Sequence, residues 1–149
     1  MSPVHLKAKS IFGLTARTNN AAEMNPSTGK IGPLVHKFDS QVEVNYREGA
    51  RVYSVYYNYE SDVTGDYSVL VGADAVASSS VELSEIKIQE GDYLVFSGSG
   101  QVPQMVIETW QKIWSYFASP GCPHTRAYET DFEFYKSQNH IEIYIGVKQ

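Results

Sequence analysis

One order of elements is written twice along these 149 residues, and it constrains the fold more than any single motif. The run "IFGL" leads into a helix-like segment, after which come the strand-like pair "RVYSVYYNYE" and "YSVLVGA". Further on, "YLVF" leads into a second helix-like segment, after which comes the pair held in "TDFEFYKSQNHIEIYIGVK", residues 130–148. Laying Tyr57 on Tyr135 sets Val55 on Glu133, and laying Gly72 on Gly146 closes both hairpins, the second shorter by four residues. Two βαββ halves predict one antiparallel sheet of α+β class, with two main helices and a central groove along a pseudo-twofold seam. Grooves at such seams are natural ligand sites. No linker, low-complexity block or second repeat period interrupts residues 1–149, which read as one domain.

The local patterns fill in this order. Leu6 to Thr15 alternates loosely and reads as a first strand, and "NNAAEMNPSTG" reads as a polar loop. In "KIGPLVHKFDSQV", Ile31, Leu34, Val35 and Phe38 recur at helical spacing, with Pro33 in the first turn. "SDVTGD", with Gly65, is a hairpin loop, and a further strand is expected around Val81 to Ile88. The clearest helix is "VPQMVIETWQKIWSYFAS", opened by Pro103 and ended by Pro120 and Gly121. Val106, Ile107, Trp110, Ile113, Trp114 and Phe117 form its apolar stripe, with Glu108, Gln111, Lys112 and Ser115 opposite.

Charge and side-chain chemistry exclude several functions. The net charge is −5 and no basic run occurs, which argues against a nucleic-acid footprint. The lone Cys122 excludes an internal disulfide, and His5, His36, His124 and His140 lack ligand spacing, so neither a metal nor a cofactor is expected. "GSGQVPQ" is glycine-rich but lacks the Lys-Ser/Thr pair of a phosphate cradle, and no nucleophile elbow occurs; no catalytic set emerges. No signal-like or membrane-spanning run is present, and a cytoplasmic protein is expected. Eleven Tyr, six Phe and two Trp remain to be explained. Strands use aromatics for packing, and binding surfaces use them as flat walls with a polar tip.

Glu133, set between Phe132 and Phe134, is the sharpest candidate. Strand alternation puts it on one face with Asp131 and Tyr135. It is either a solvated strand residue or a buried acid ringed by aromatics and kept for a cationic ligand, and the residues alone leave both open. Trp110 and Trp114, four apart on one helix, are either core or a cation–π wall; Tyr57 and Tyr144 are either packing or pocket lining.

"KIGPLVHKF", "VYYNYESDVTGDYSVLVG", "ETWQKIWSYF", "DFEFY" and "IEIYIGV", in this order, resemble the GyrI-like small-molecule-binding domain, the effector-binding half of AraC-type and MerR-type regulators. The resemblance spans about Ile11 to Lys148 and implies two SH2-motif βαββ halves around a hydrophobic groove. It implies that Glu133, the acid of an F-E-x-Y strand, sits at the base of the groove and meets lipophilic cations. Tyr57, Trp110, Tyr135, Tyr144 and, less directly, Trp114 would line it. Relatives often carry an aromatic where this chain has Val35. No helix-turn-helix segment is recognisable, so the resemblance is to the stand-alone binders, including those on mobile gene cassettes. The implied partner is a small amphipathic or cationic organic compound, with no direct DNA contact; a homodimer through a sheet edge or a separate DNA-binding partner stays open. Two alternatives come with the family. One is a hydrolase of electrophilic compounds using the same glutamate as general base, with Tyr135 or Tyr144 beside it. The other is a protein-interaction module like the gyrase inhibitors.

Overall fold

The computed structural model describes residues 2–148. The chain runs β1 (Val4–Leu6), β2 (Lys9–Thr18), α1 (Asn20–Glu23), α2 (Ile31–Gln41), β3 (Val42–Val44), β4 (Val52–Tyr57), β5 (Tyr67–Ala73), β6 (Val76–Ser79) and β7 (Ser84–Ile88). It continues through β8 (Gly91–Ser99), α3 (Gln104–Ala118), β9 (Arg126–Ser137) and β10 (His140–Val147). The architecture is α+β, with a curled antiparallel sheet and three helices. Eight strands lie in the order β1-β8-β10-β9-β4-β5-β2-β7, and β3 pairs with β6 in a separate two-stranded sheet. The central neighbours are β9 and β4, paired antiparallel with Ser54 opposite Glu133 and Tyr56 opposite Asp131. Outward from this pair, each side meets a hairpin partner and then the strand that leads into a helix.

Both long helices lie on one face of the sheet. α3 sets Met105 and Ile113 against Leu94, Phe96, Ile141, Ile143 and Ile145. α2 sets Phe38 against Val71 and Ala73. The opposite face curls inward until β7 touches β9, and Ile11, Tyr53, Val55, Leu70, Ile88, Tyr93 and Phe132 form a second core there.

Several local expectations are corrected. The buried stripe of α3 is Met105, Thr109 and Ile113, whereas Ile107 and Trp114 are 46% and 42% exposed. Hydropathy drew the stripe a fraction of a turn away because it discounted a threonine. Thr109 is buried because its hydroxyl donates to the Met105 carbonyl at 2.7 Å, and because Gly98 of β8 has no side chain where the threonine lands. The polar segment after β2 contains α1, capped by the Asn19 side chain, which accepts from the Ala22 N–H at 2.7 Å. β1 and β2 are separate strands, β7 begins only at Ser84, and the β3–β6 pair had no alternation long enough to announce it.

Candidate functional site

The candidate site lies where the central strands meet the two long helices. β9 is flanked by β10 and β4 on its two sides, so it is an interior strand, and its central residues Thr130, Asp131, Phe132 and Glu133 are buried. Glu133 points to the helix face and is 2% exposed. Its Oε2 accepts from the Trp110 Nε1–H at 2.7 Å and from the Tyr56 hydroxyl at 2.8 Å, and its Oε1 accepts from the Tyr135 hydroxyl at 2.6 Å. Burial, then the neighbouring carboxylate, holds the phenols of Tyr56 and Tyr135 well above their ordinary value, so both remain neutral donors. Three neutral donors from three elements thus satisfy the carboxylate without cancelling its charge.

Two residues earlier on the same face, Asp131 is handled differently. It is fully buried and pairs with the Arg126 guanidinium at 2.7 Å. It also accepts from the Tyr59 hydroxyl and, at 2.9 Å, from the Gly146 N–H. Arg126 lies in turn over the Tyr128 ring, 4.5 Å from its centroid. One buried acid therefore carries its own cation and the other does not.

The walls around Glu133 are aromatic. Tyr56 meets Trp110 edge-on at 5.6 Å and Tyr67 at 5.5 Å, and Trp110 lies 6.0 Å from Trp114. Ile31 and Leu34 of α2 reach the same cluster as Trp110 of α3, so both helices border the site. α2 is held there by Glu23, whose carboxylate accepts from the N–H groups of Lys30 and Ile31 at 2.8 and 3.1 Å. The Trp110 indole that donates to Oε2 is itself only partly buried.

Of the residues singled out from the sequence, Glu133, Trp110 and Tyr135 meet directly, and Trp114 lies behind Trp110 with much of its ring in solvent. Tyr57 and Tyr144 are not brought to Glu133. They pack with Tyr53, Phe132 and Phe134 on the other sheet face, where Tyr144 stacks on Phe132 at 4.5 Å. The cause is strand parity: Tyr144 sits opposite Phe132, and Glu133 sits opposite Ile143 and Ser54. The repeat alignment that set Val55 on Glu133 puts together residues of opposite faces, since Val55 is opposite Phe132 and Glu133 is opposite Ser54. Tyr56 is the tyrosine that sequence reasoning missed. Only one of the two adjacent tyrosines in "VYYNY" can share a face with the glutamate, and the cross-strand register that sets Tyr56 opposite Asp131 decides which. Val35 packs with the Phe38 cluster. Among the described residues no group of His, Cys, Asp and Glu is placed to hold a metal, and no helix is long and apolar enough to cross a membrane.

The family model of Cass2, integron-associated effector binding protein, matches residues 4–147. The chain belongs to the Cass2 family. It is 42% identical to an integron cassette protein, VCH_CASS2, from the mobile metagenome of Vibrio cholerae; the structures superpose with a TM-score of 0.87 over 98% of this chain and 94% of the other. The YobU protein of Bacillus subtilis (strain 168), provisionally named a transcriptional regulator, is 30% identical over 97% of this chain and 96% of its own length. The fold is shared more distantly, at 17% identity and a TM-score of 0.62, with SAV2435, a structure solved with tetraphenylphosphonium bound; the match covers 98% of this chain and 92% of that one. Membership of the Cass2 family makes this an effector-binding protein with a small-molecule partner, and it accords with the GyrI-like fold.

Proposed function

We propose that this Cass2-family chain binds lipophilic, cationic, drug-like compounds, with Glu133 as their counter-charge. The contrast between the two buried acids carries the reading. Asp131 is neutralised by Arg126, whereas among the described residues Glu133 is held by Tyr56, Trp110 and Tyr135 alone. An ionised carboxylate buried without a cation is unfavourable, and an incoming cation relieves that cost. A bulky cation with spread charge sheds its hydration more readily than an ammonium, and aromatic faces contribute about 0.5–2 kcal/mol per cation–π contact. Trp110 and Trp114 form the outer wall, and Tyr56 and Tyr135 form the floor beside the acid. Entry requires the Trp110 indole to swing off Oε2, which makes the lid and the reporter the same side chain.

Two further observations support the reading. The distant structural neighbour SAV2435 was solved with a phosphonium cation, and family membership already assigns effector binding. General-base hydrolysis is less well served, because both oxygens of Glu133 are engaged by donors. We further infer that β2-α2-β4-β5 and β8-α3-β9-β10 are two copies of one SH2-type unit, since the sheet order is symmetric about the β9–β4 seam. On this reading the site is a seam site of a single domain spanning the chain.

Tryptophan fluorescence tests the proposal. Tetraphenylphosphonium is expected to change the emission saturably, while the neutral triphenylphosphine oxide leaves it unchanged at the same concentration. Equal binding of both compounds would remove charge from the account.

A further inference from the structure

We propose a second small-molecule site, on the sheet face opposite Glu133, that takes a small flat aromatic carboxylate. A cavity of about 210 Å³ opens there, walled by Tyr53, Phe132, Phe134 and Tyr144, with Lys7 and Lys9 at its mouth. That volume falls below the ~300 Å³ at which pockets for drug-sized ligands begin, so a one-ring ligand fits and a tetra-aryl cation does not.

The walls are flat. Phe132 and Tyr144 stack at 4.5 Å with their planes within 5°, and Tyr53 and Phe134 lie 5.2 Å apart at 36°. A planar ring packs well on such surfaces.

The polar groups specify the charge. Tyr53 is 7% exposed as a residue, and its hydroxyl, which makes no hydrogen bond among the described residues, stays open to solvent. Burial, then the nearby Asp74 charge, pushes that phenol up to about 12, so it stays a donor at neutral pH. Lys9 Nζ stands 5.9 Å over the Tyr53 ring, sharing its charge with Asp74 at 3.3 Å. Lys7 forms no ion pair among the described residues. No carboxylate lines the cavity, and the nearest one along β10, Glu142, accepts from the Tyr144 hydroxyl at 3.1 Å and faces Lys136. An unused hydroxyl donor and two ammonium groups at an aromatic slot match an anion with a ring. They repel the cations that Glu133 attracts.

This site also gives Tyr144 a place in binding that its distance from Glu133 denies it. The larger hollow, of about 830 Å³, beside Gly100–Val102 and Ser137–Asn139, has no charged or aromatic lining and carries no such argument.

The test is an amide and indole NMR titration with benzoate and with its neutral isostere benzamide. Benzoate is expected to shift the Tyr53, Phe134 and Tyr144 amides and to leave the Trp110 and Trp114 indoles in place, with benzamide weaker. Lys7→Gln combined with Lys9→Gln, both exposed positions, should weaken benzoate about fivefold and leave tetraphenylphosphonium binding intact. Tyr53→Phe, which keeps the ring and removes the donor, should also weaken benzoate, and by more than it weakens benzamide, whose carbonyl is the poorer acceptor. The proposal is overturned if millimolar benzoate moves none of the lining amides. It is equally overturned if the indoles are what move, or if the double lysine substitution leaves benzoate affinity unchanged.

Discussion

At the scale of single residues, the account rests on two carboxylates two positions apart. Asp131→Asn should leave Arg126 buried beside a neutral partner, and a broken buried pair costs about 3–5 kcal/mol. Chemical denaturation is expected to show that loss. Glu133→Gln should do the reverse. The glutamine carbonyl can accept from Trp110 and Tyr56, and its amide can donate to the Tyr135 oxygen, so every partner is kept while an unpaired charge is removed. Unligated protein is expected to gain about 1 kcal/mol, or about 2–4 °C in Tm for a chain of this size. A fall in Tm of that variant would mean that the charge itself is structurally required. The tyrosines set the alkaline limit. Tyr53 and Tyr144 are held at about 12, chiefly by burial, against 10 when unfolded. Above pH 10 the unfolded chain sheds these protons and the folded chain keeps them. Their contribution is therefore whole below pH 10 and declines as pH rises from 10 to 12. Their share of the tyrosinate absorbance should appear together with unfolding rather than ahead of it, after that of exposed tyrosines such as Tyr46. Glu133 was legible at this scale because a carboxylate amid aromatics stands out. Tyr56 was not, since choosing between adjacent tyrosines needs the cross-strand register, which local sequence does not carry.

At the scale of elements, α3 sits tightly on β8. A methyl at Gly98 would lie 2.0 Å from the Thr109 oxygen, which is itself held by the Met105 carbonyl. Gly98→Ala should therefore lift the helix and cost about 1–3 kcal/mol. Adding Thr109→Ala should recover part of the loss, a coupling that a double-mutant cycle reads directly. Because α3 also carries Trp110, Gly98→Ala should weaken cation binding along with stability. The helix itself was plain from its pattern. Its rotation was not, because the face it buries is chosen by a threonine and a glycine, two residues that hydropathy ranks low. α1 escaped notice for a related reason: four residues give no period, and only the Asn19 cap marks the start. Its Glu23, which holds the N-terminus of α2, reads in the sequence as one more surface acid.

At the scale of the whole molecule, the sheet curls to make two faces with different chemistry. The helix face holds the acids, and the inner face holds the stacked aromatics under Lys7 and Lys9. Within this sheet β2 and β5 are paired neighbours, with Gly13 opposite Gly72. A methyl on Gly72 would meet the Phe12 carbonyl oxygen at 2.2 Å, a backbone atom that cannot turn aside. Gly72→Ala should cost at least as much as Gly98→Ala while leaving the Glu133 neighbourhood intact, as thermal unfolding and cation titration together would show. The α+β class and the strand–helix–hairpin order were readable because hairpins of alternating apolar residues declare themselves. The closing of β7 onto β9 was not, since curl accumulates from twist over many strands. Division of the aromatics between two faces follows from strand parity, and the curl then encloses the inner set. The measurement that tests the central claim most directly is calorimetric titration of tetraphenylphosphonium into the protein and into Glu133→Gln, both first shown to be folded. The account predicts binding to the former and affinity lower by roughly thirtyfold or more in the latter, as expected when one partner of a buried charge pair is neutralised. Equal affinity in the two proteins would contradict it.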